Sequence, residues 1–197
     1  MMVLWAMSLW AAMSVVTASH GFLATWTRYG LKPGRLVAVM AGVWVVGWTV
    51  LSWRGVIRVD PGLPLLFALG CFELVRRRGG RPGVWAATLG LSAAWVRALV
   101  PFSIHQASLL PVAAIESVGV GVAGGVALGD PLMSGLVGLI ASGIASAVAG
   151  MKHGPPYEWG RHDLAAAMMA ALSGWLAGWL VEGIRRQNQR RRLDPGS

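Results

Sequence analysis

Apolar positions along the chain gather into long runs, and the polar ones cluster briefly between them. Seven runs stand out. The first four are Met1 to about Trp26, about Leu36 to Trp53, Pro61 to Val75, and about Gly83 to Val100. Two more lie between Pro111 and Gly150, joined at the corner Gly129-Asp130-Pro131, and the last goes from a cap at Asp163 to about Gly183. Crossing a bilayer core takes about 20 apolar residues in a helix, so these runs predict membrane-spanning helices. The run from Pro61 is short for that task. Asp60-Pro61 suits a helix start, since Asp can cap free N–H groups and Pro fits the first turn.

The Pro111–Gly150 stretch predicts the centre of the bundle. Ala113, Ser117, Gly121, Gly125 and Gly129 recur every fourth residue before the corner, and Ser134, Gly138, Ser142, Ser146 and Gly150 after it. Residues four apart share a helix face, so each helix presents a groove of small residues. In lipid, such grooves let helices approach closely and pack. Gly121, Gly125, Gly138 and Ser142 are the expected packing residues. The last helix has a shorter ridge of Ala170, Gly174 and Gly178, from which less sensitivity to enlargement is expected.

Charge gives the runs an orientation. The 197 residues are 55% hydrophobic and only 13% charged, with 17 basic against 8 acidic side chains. A soluble domain carries about 25% charged residues. With the N-terminus outside and seven crossings, the cytoplasmic pieces are 28–35, 76–83, 129–130 and 184–197. They hold twelve basic residues, and the outer pieces hold four: Arg54, Arg58, Lys152 and Arg161. That bias is what the positive-inside rule requires. It also argues that the short run 61–75 crosses, since otherwise the Arg76–Arg81 cluster would fall outside. The first run lacks the basic start of a secretory signal, which favours a retained helix. The expected architecture is therefore an all-α, polytopic transmembrane bundle of seven spans over residues 1–184. A basic cytoplasmic tail follows at 185–197, disordered beyond its first turn.

Few residues offer chemistry. Glu73 precedes Arg76–Arg78 and Glu182 precedes Arg185 and Arg186, spacings that predict pairing along one helix. Arg97 and Glu116 differ, because each is the sole charge of its span and both fall in the outer half of adjacent antiparallel helices. A charge in the bilayer needs a partner, so an Arg97–Glu116 ion pair is expected, either fixing helix register or lining a solute path. His105, His153, Glu158, His162 and Asp163 lie on outer segments without HExxH or paired-histidine spacing, so no metal site is expected. His20 is read as a helix-packing residue and the single Cys71 as a small buried hydrophobe. No catalytic residue and no cofactor is expected, since GxSxG, the Walker A loop and GxGxxG are absent. Ser-Gly pairs at residues 134, 142 and 173 lack the context of an intramembrane serine protease. Glu73-x-x-x-Arg77 lacks the second glutamate and the histidines of a prenyl protease. Seven-span glycerol-phosphate acyltransferases share only the outline, without their Gly- and Asn-rich loops. The arginine tail points to anionic lipid head groups rather than to nucleic acid, as it directly follows a span.

A Trp-rich first run followed by Arg28, the step from Trp95-Val96-Arg97 to Pro101, Glu116, and Pro156-Tyr157 through Gly160 to Asp163 form an outline. It resembles the YphA-type membrane proteins of spore-forming Firmicutes. The resemblance implies a multi-pass protein of the bacterial cytoplasmic (inner) membrane tied to the spore envelope, and it assigns no catalytic residues. The Gly/Ala-rich hairpin departs from it. The expected function is a scaffold or assembly factor, with a membrane-protein partner or a second copy. The alternative is a small solute transporter or solute-binding component using Arg97 and Glu116.

Overall fold

The computed structural model describes residues 51–59, 61–77, 80–99, 112–152, 157–159 and 163–193, with Gly30, Lys32, Gly34, Ala38 and Gly42 singly. The first run, most of the second, the connection 101–110, and His20, His105, His153 and His162 lie outside these residues. Eight elements follow in order: β1 (Leu51–Trp53), β2 (Ile57–Val59), α1 (Gly62–Arg76), α2 (Gly80–Leu99), α3 (Val112–Leu128), α4 (Pro131–Lys152), β3 (Tyr157–Trp159) and α5 (Leu164–Leu193). The described protein is mostly helical. Its five helices fall on the third to seventh apolar runs.

Helix α4 is the hub. It packs against α1, α2, α3 and α5. Its neighbours set the directions: Gly70 of α1 faces Leu139 and Ile140, while Gly143 faces Phe67, so α1 and α4 are antiparallel. Gly90 abuts Ala141 and Ile144, and Ala93 and Ala94 cluster with Ala145, so α2 is parallel to α4. Gly174 faces Ser134 and Gly178 faces Asp130, so α5 is antiparallel to α4. The α3–α4 corner is built by local chemistry. Gly129 takes a positive φ of 65° and its N–H donates to the Gly125 carbonyl (2.8 Å), closing α3. Asp130 Oδ1 then accepts from the Met133 N–H at 2.7 Å, capping α4, with Pro131 in its first turn.

Three differences from the sequence expectation have physical causes. Leu51–Trp53 is a strand, not the end of a helix, and pairs antiparallel with β2. Arg54 and Gly55, at φ 49° and 70°, form the tight turn between them, and such a turn cannot continue a helix. Strand β3 adds in parallel to β2, with Tyr157 opposite Ile57, so the fold is not wholly α. The last helix does not end near Gly183 but continues to Leu193. Arg and Gln are good helix formers, cations suit a helix C-terminus, and Glu182 pairs with Arg186 one turn on. At the start of α1, Pro61 occupies the cap position, its carbonyl accepting from the Leu65 N–H (2.9 Å); Asp60 is outside the described residues.

Two described stretches are long and apolar enough to cross a membrane, Pro131–Met151 and Ala166–Gln189. Ile115–Leu128 is apolar but shorter. Helix α1 has 15 residues, and the 20 of α2 are diluted by Arg81 and Arg97.

Candidate functional site

The interior is built from small residues. Ala86, Ala93, Ala94, Ala141, Ala145, Ala166, Ala167 and Ala170 are buried, with Ser117, Ser134, Ser142 and Ser146. Glycines bring three backbones together where α3, α4 and α5 meet. A methyl group on Gly121 would collide with Ser173 Oγ and the Ala170 carbonyl. One on Gly125 would strike Ala177 and approach the Gly178 nitrogen to 2.9 Å, and one on Gly138 would enter the Ala170 carbonyl. The expected packing residues Gly121, Gly125 and Gly138 therefore all sit at close helix contacts, and Ser142 is buried. Their principal partner is α5 rather than each other. This overturns the lesser weight given to Gly174, which lies between Ser134 of α4 and Gly121 of α3. Spacing along one helix shows a ridge, but not which neighbour the ridge meets.

Arg97 and Glu116 are brought to one level. Ala93 and Ala94 of α2 cluster with Ala145, and Val120 of α3 packs on that cluster. Arg97 lies four residues beyond Ala93 and Glu116 four before Val120. At 1.5 Å per residue each is about 6 Å from the alanine contact, toward the end of the bundle that carries the sheet. Glu116 is half-buried, and only the backbone of Arg97 is described.

Charges also segregate by end. Arg76, Arg77, Arg81, Arg185 and Arg186 lie at the end of the bundle opposite the sheet, while Arg54 and Arg58 lie in the hairpin β1–β2. Glu73 accepts from Arg76 (Nε–Oε2 2.8 Å) and Arg77 (Nε–Oε1 2.6 Å), and Glu182 accepts from Arg186, as their spacing predicted. The Arg185 guanidinium lies over the Gly129 corner.

Sequence reasoning missed a line of interior hydroxyls. Ser134, Ser142 and Ser146 were legible as small residues, and their oxygens went unused. Ser134 Oγ donates to the Gly124 carbonyl of α3 at 3.4 Å. Ser146 Oγ donates to Asp163 Oδ2 at 2.6 Å, tying the end of α4 to the start of α5. Asp163 opens α5 through its carbonyl, which accepts from the Ala167 N–H (2.8 Å). The Ser142 oxygen is wholly out of solvent and has no hydrogen-bond partner among the described residues. Among those residues no three His, Cys, Asp or Glu side chains gather as a metal-binding group. Comparison with protein families, characterised proteins and solved structures finds no match.

Proposed function

We propose that the protein is a multi-pass helical scaffold or assembly factor of a bacterial cytoplasmic membrane. In this proposal it has seven spans, an outer N-terminus and a cytoplasmic basic tail that meets anionic head groups. The observation that carries it is the inverted distribution of side chains. Alanine, glycine and serine are inside, whereas large apolar residues line the outside of the helices at helical spacing. Examples are Leu65, Leu69 and Phe72 on α1, Ile115, Val118, Val122 and Val126 on α3, and Leu176, Trp179, Leu180 and Ile184 on α5. Twenty-four large hydrophobic residues are exposed among those described. Nineteen of these lie on the helices, and at about 1 kcal/mol for each half-exposed side chain an apolar surrounding would favour them over water by on the order of 20 kcal/mol. Apolar surface of that extent marks a face that meets lipid or a partner. Lipid covers it, and close packing of small residues then supplies helix adhesion.

The segregated arginines and the sheet support the orientation. The sheet joins segments 51–59 and 157–159; charge assigns the Arg54–Arg58 piece and the segment 157–159 to the outer side. The outline shared with YphA-type proteins agrees with this proposal and adds no residue to it. The packed interior, without a wide polar cavity signature in the sequence, favours a scaffold over a transporter. A scaffold should keep a membrane-protein partner when purified from its own membrane in mild detergent. Mass spectrometry of that preparation should identify a stoichiometric partner or a stable homo-oligomer. A monomer free of partners would refute the scaffold assignment. A second assignment, a small solute transporter, is favoured by one observation: Arg97 and Glu116 share a level on neighbouring helices.

A further inference from the structure

The buried hydroxyls of Ser117 and Ser142 lie about one turn from the Ser146–Asp163 contact, near the sheet end of the bundle. Along the antiparallel pair α4–α5, Gly138 meets Ala170 and Ser146 meets Asp163, so Ser142 falls beside Ala166 and Ala167. Along α3–α4, Gly124 faces Val137, and along α3–α5, Gly121 faces Ala170. Both registers put Ser117 level with Ser142. The face of α4 that carries Ser142 is turned to the seam between α3 and α5. On that face Ser134 bonds to α3, Gly138 abuts α5, and Ser146 bonds to Asp163. Ser142 shares it by the four-residue repeat. Ser117 and Ser142 are each 2% exposed, and the Ser142 oxygen has no partner among the described residues. A buried hydroxyl with nothing to bond is unfavourable. Its retention one turn from a carboxylate calls for a ligand.

We propose that the hydroxyls of Ser117, Ser142 and Ser146 and the carboxylate of Asp163 form a binding site for a small monovalent cation, sodium or lithium. All the donors are oxygens, which suit hard cations. A single carboxylate balances a single positive charge, whereas a divalent ion would leave excess charge in a buried seam. Ala166 and Ala167, both buried, keep the helices close and favour an ion smaller than potassium. Asp163 is only half-buried at the end of the bundle, which gives the ion its entry. The site goes beyond the scaffold assignment and is independent of any Arg97–Glu116 pair.

The test is thermal unfolding of the full chain in mild detergent, read by tryptophan fluorescence, in sodium chloride and in choline chloride at equal ionic strength. Sodium at about a hundredfold over its Kd should raise Tm by about 5 °C or more. Lithium should act similarly and potassium much less. Ser142→Ala should abolish the sodium increment while staying at least as stable as wild type in choline, because the methyl group needs no partner. A purely structural serine would instead shift Tm equally in both salts. Asp163→Asn should also abolish the increment, and Ser134→Ala, two turns away and already bonded to Gly124, should retain it. Equal wild-type Tm in sodium and choline, or a full increment in Ser142→Ala, would overturn the site. If Asp163→Asn does not fold, calorimetric titration of sodium chloride into wild type and Ser142→Ala decides the matter.

Discussion

Gly174→Ala adds one methyl group at the point where three backbones meet. Its carbon would lie 2.5 Å from the Ser134 carbonyl oxygen, 3.0 Å from that carbonyl carbon and 3.2 Å from the Gly121 oxygen. Close carbon–oxygen contacts settle at about 3.3–3.6 Å, so α5 must move off α4 by most of an ångström. Backbone cannot rotate away as a side-chain tip can. Overpacking of this kind costs about 1–3 kcal/mol, and replacing a helical glycine by alanine returns up to about 1 kcal/mol. Because the contacts are to backbone that cannot yield, the overpacking cost falls in the upper part of its range, about 2–3 kcal/mol. The net loss is about 1–2 kcal/mol, a fall in Tm of roughly 2–8 °C for a chain of this length. Gly119→Ala is the matched control. It lies in α3 with nothing within 4 Å of the new methyl group, so only the propensity gain applies. Its Tm should hold or rise by about 2–4 °C. Both variants are measured by fluorescence-detected melting in mild detergent. If Gly174→Ala melts at or above wild type, or the two variants move together, close packing of α5 into the hairpin is not what holds the bundle.

Alkaline phosphatase fused after Pro156 should be active and after Asp194 inactive, with green fluorescent protein behaving oppositely; fluorescence at Pro156 would refute the seven-span orientation. Arg97→Ala and Glu116→Ala should show a coupling of about 0.5–3 kcal/mol in a double-mutant cycle read by Tm. Glu116→Ala should be the worse single change, since arginine cannot shed its proton; zero coupling would mean the two charges never meet. Gly129→Ala should lower Tm by at least about 2–4 °C, because a Cβ at φ 65° costs about 1 kcal/mol and, although the Arg185 tip can swing aside, the stiff Val181 Cγ1 at 2.9 Å must also give way. An unchanged Tm would remove the corner from the account of how α3 meets α4.

Periodicity and local chemistry were enough to locate the helices. Long apolar runs mark α1 to α5, and Gly129-Asp130-Pro131 encodes a helix stop, cap and start within three residues. The pairs Glu73–Arg76 and Glu182–Arg186 were legible for the same reason, since a helix fixes the distance between residues three or four apart. The hairpin β1–β2 was not legible. Its strands are three residues long, and Leu51–Trp53 is as apolar as the run before it. The helical course of residues 184–193 is not legible from charge density, which points to disorder, although arginine and glutamine favour a helix.

What the chain determined alone was which residues are small, which are charged, and on which helix face each falls. These properties depend only on identity and spacing along a single helix. Which faces meet was decided by tertiary structure. The ridge on α5 is the shortest of the three, yet Gly174 touches both others, because α5 runs parallel to α3 and antiparallel to α4 and lies in the seam between them. The same placement brought Ser146 of α4 to Asp163 of α5 and set Ser134 against α3. One helix sets the direction of each serine, but only three packed helices exclude water from Ser142 and leave it unpartnered among the described residues.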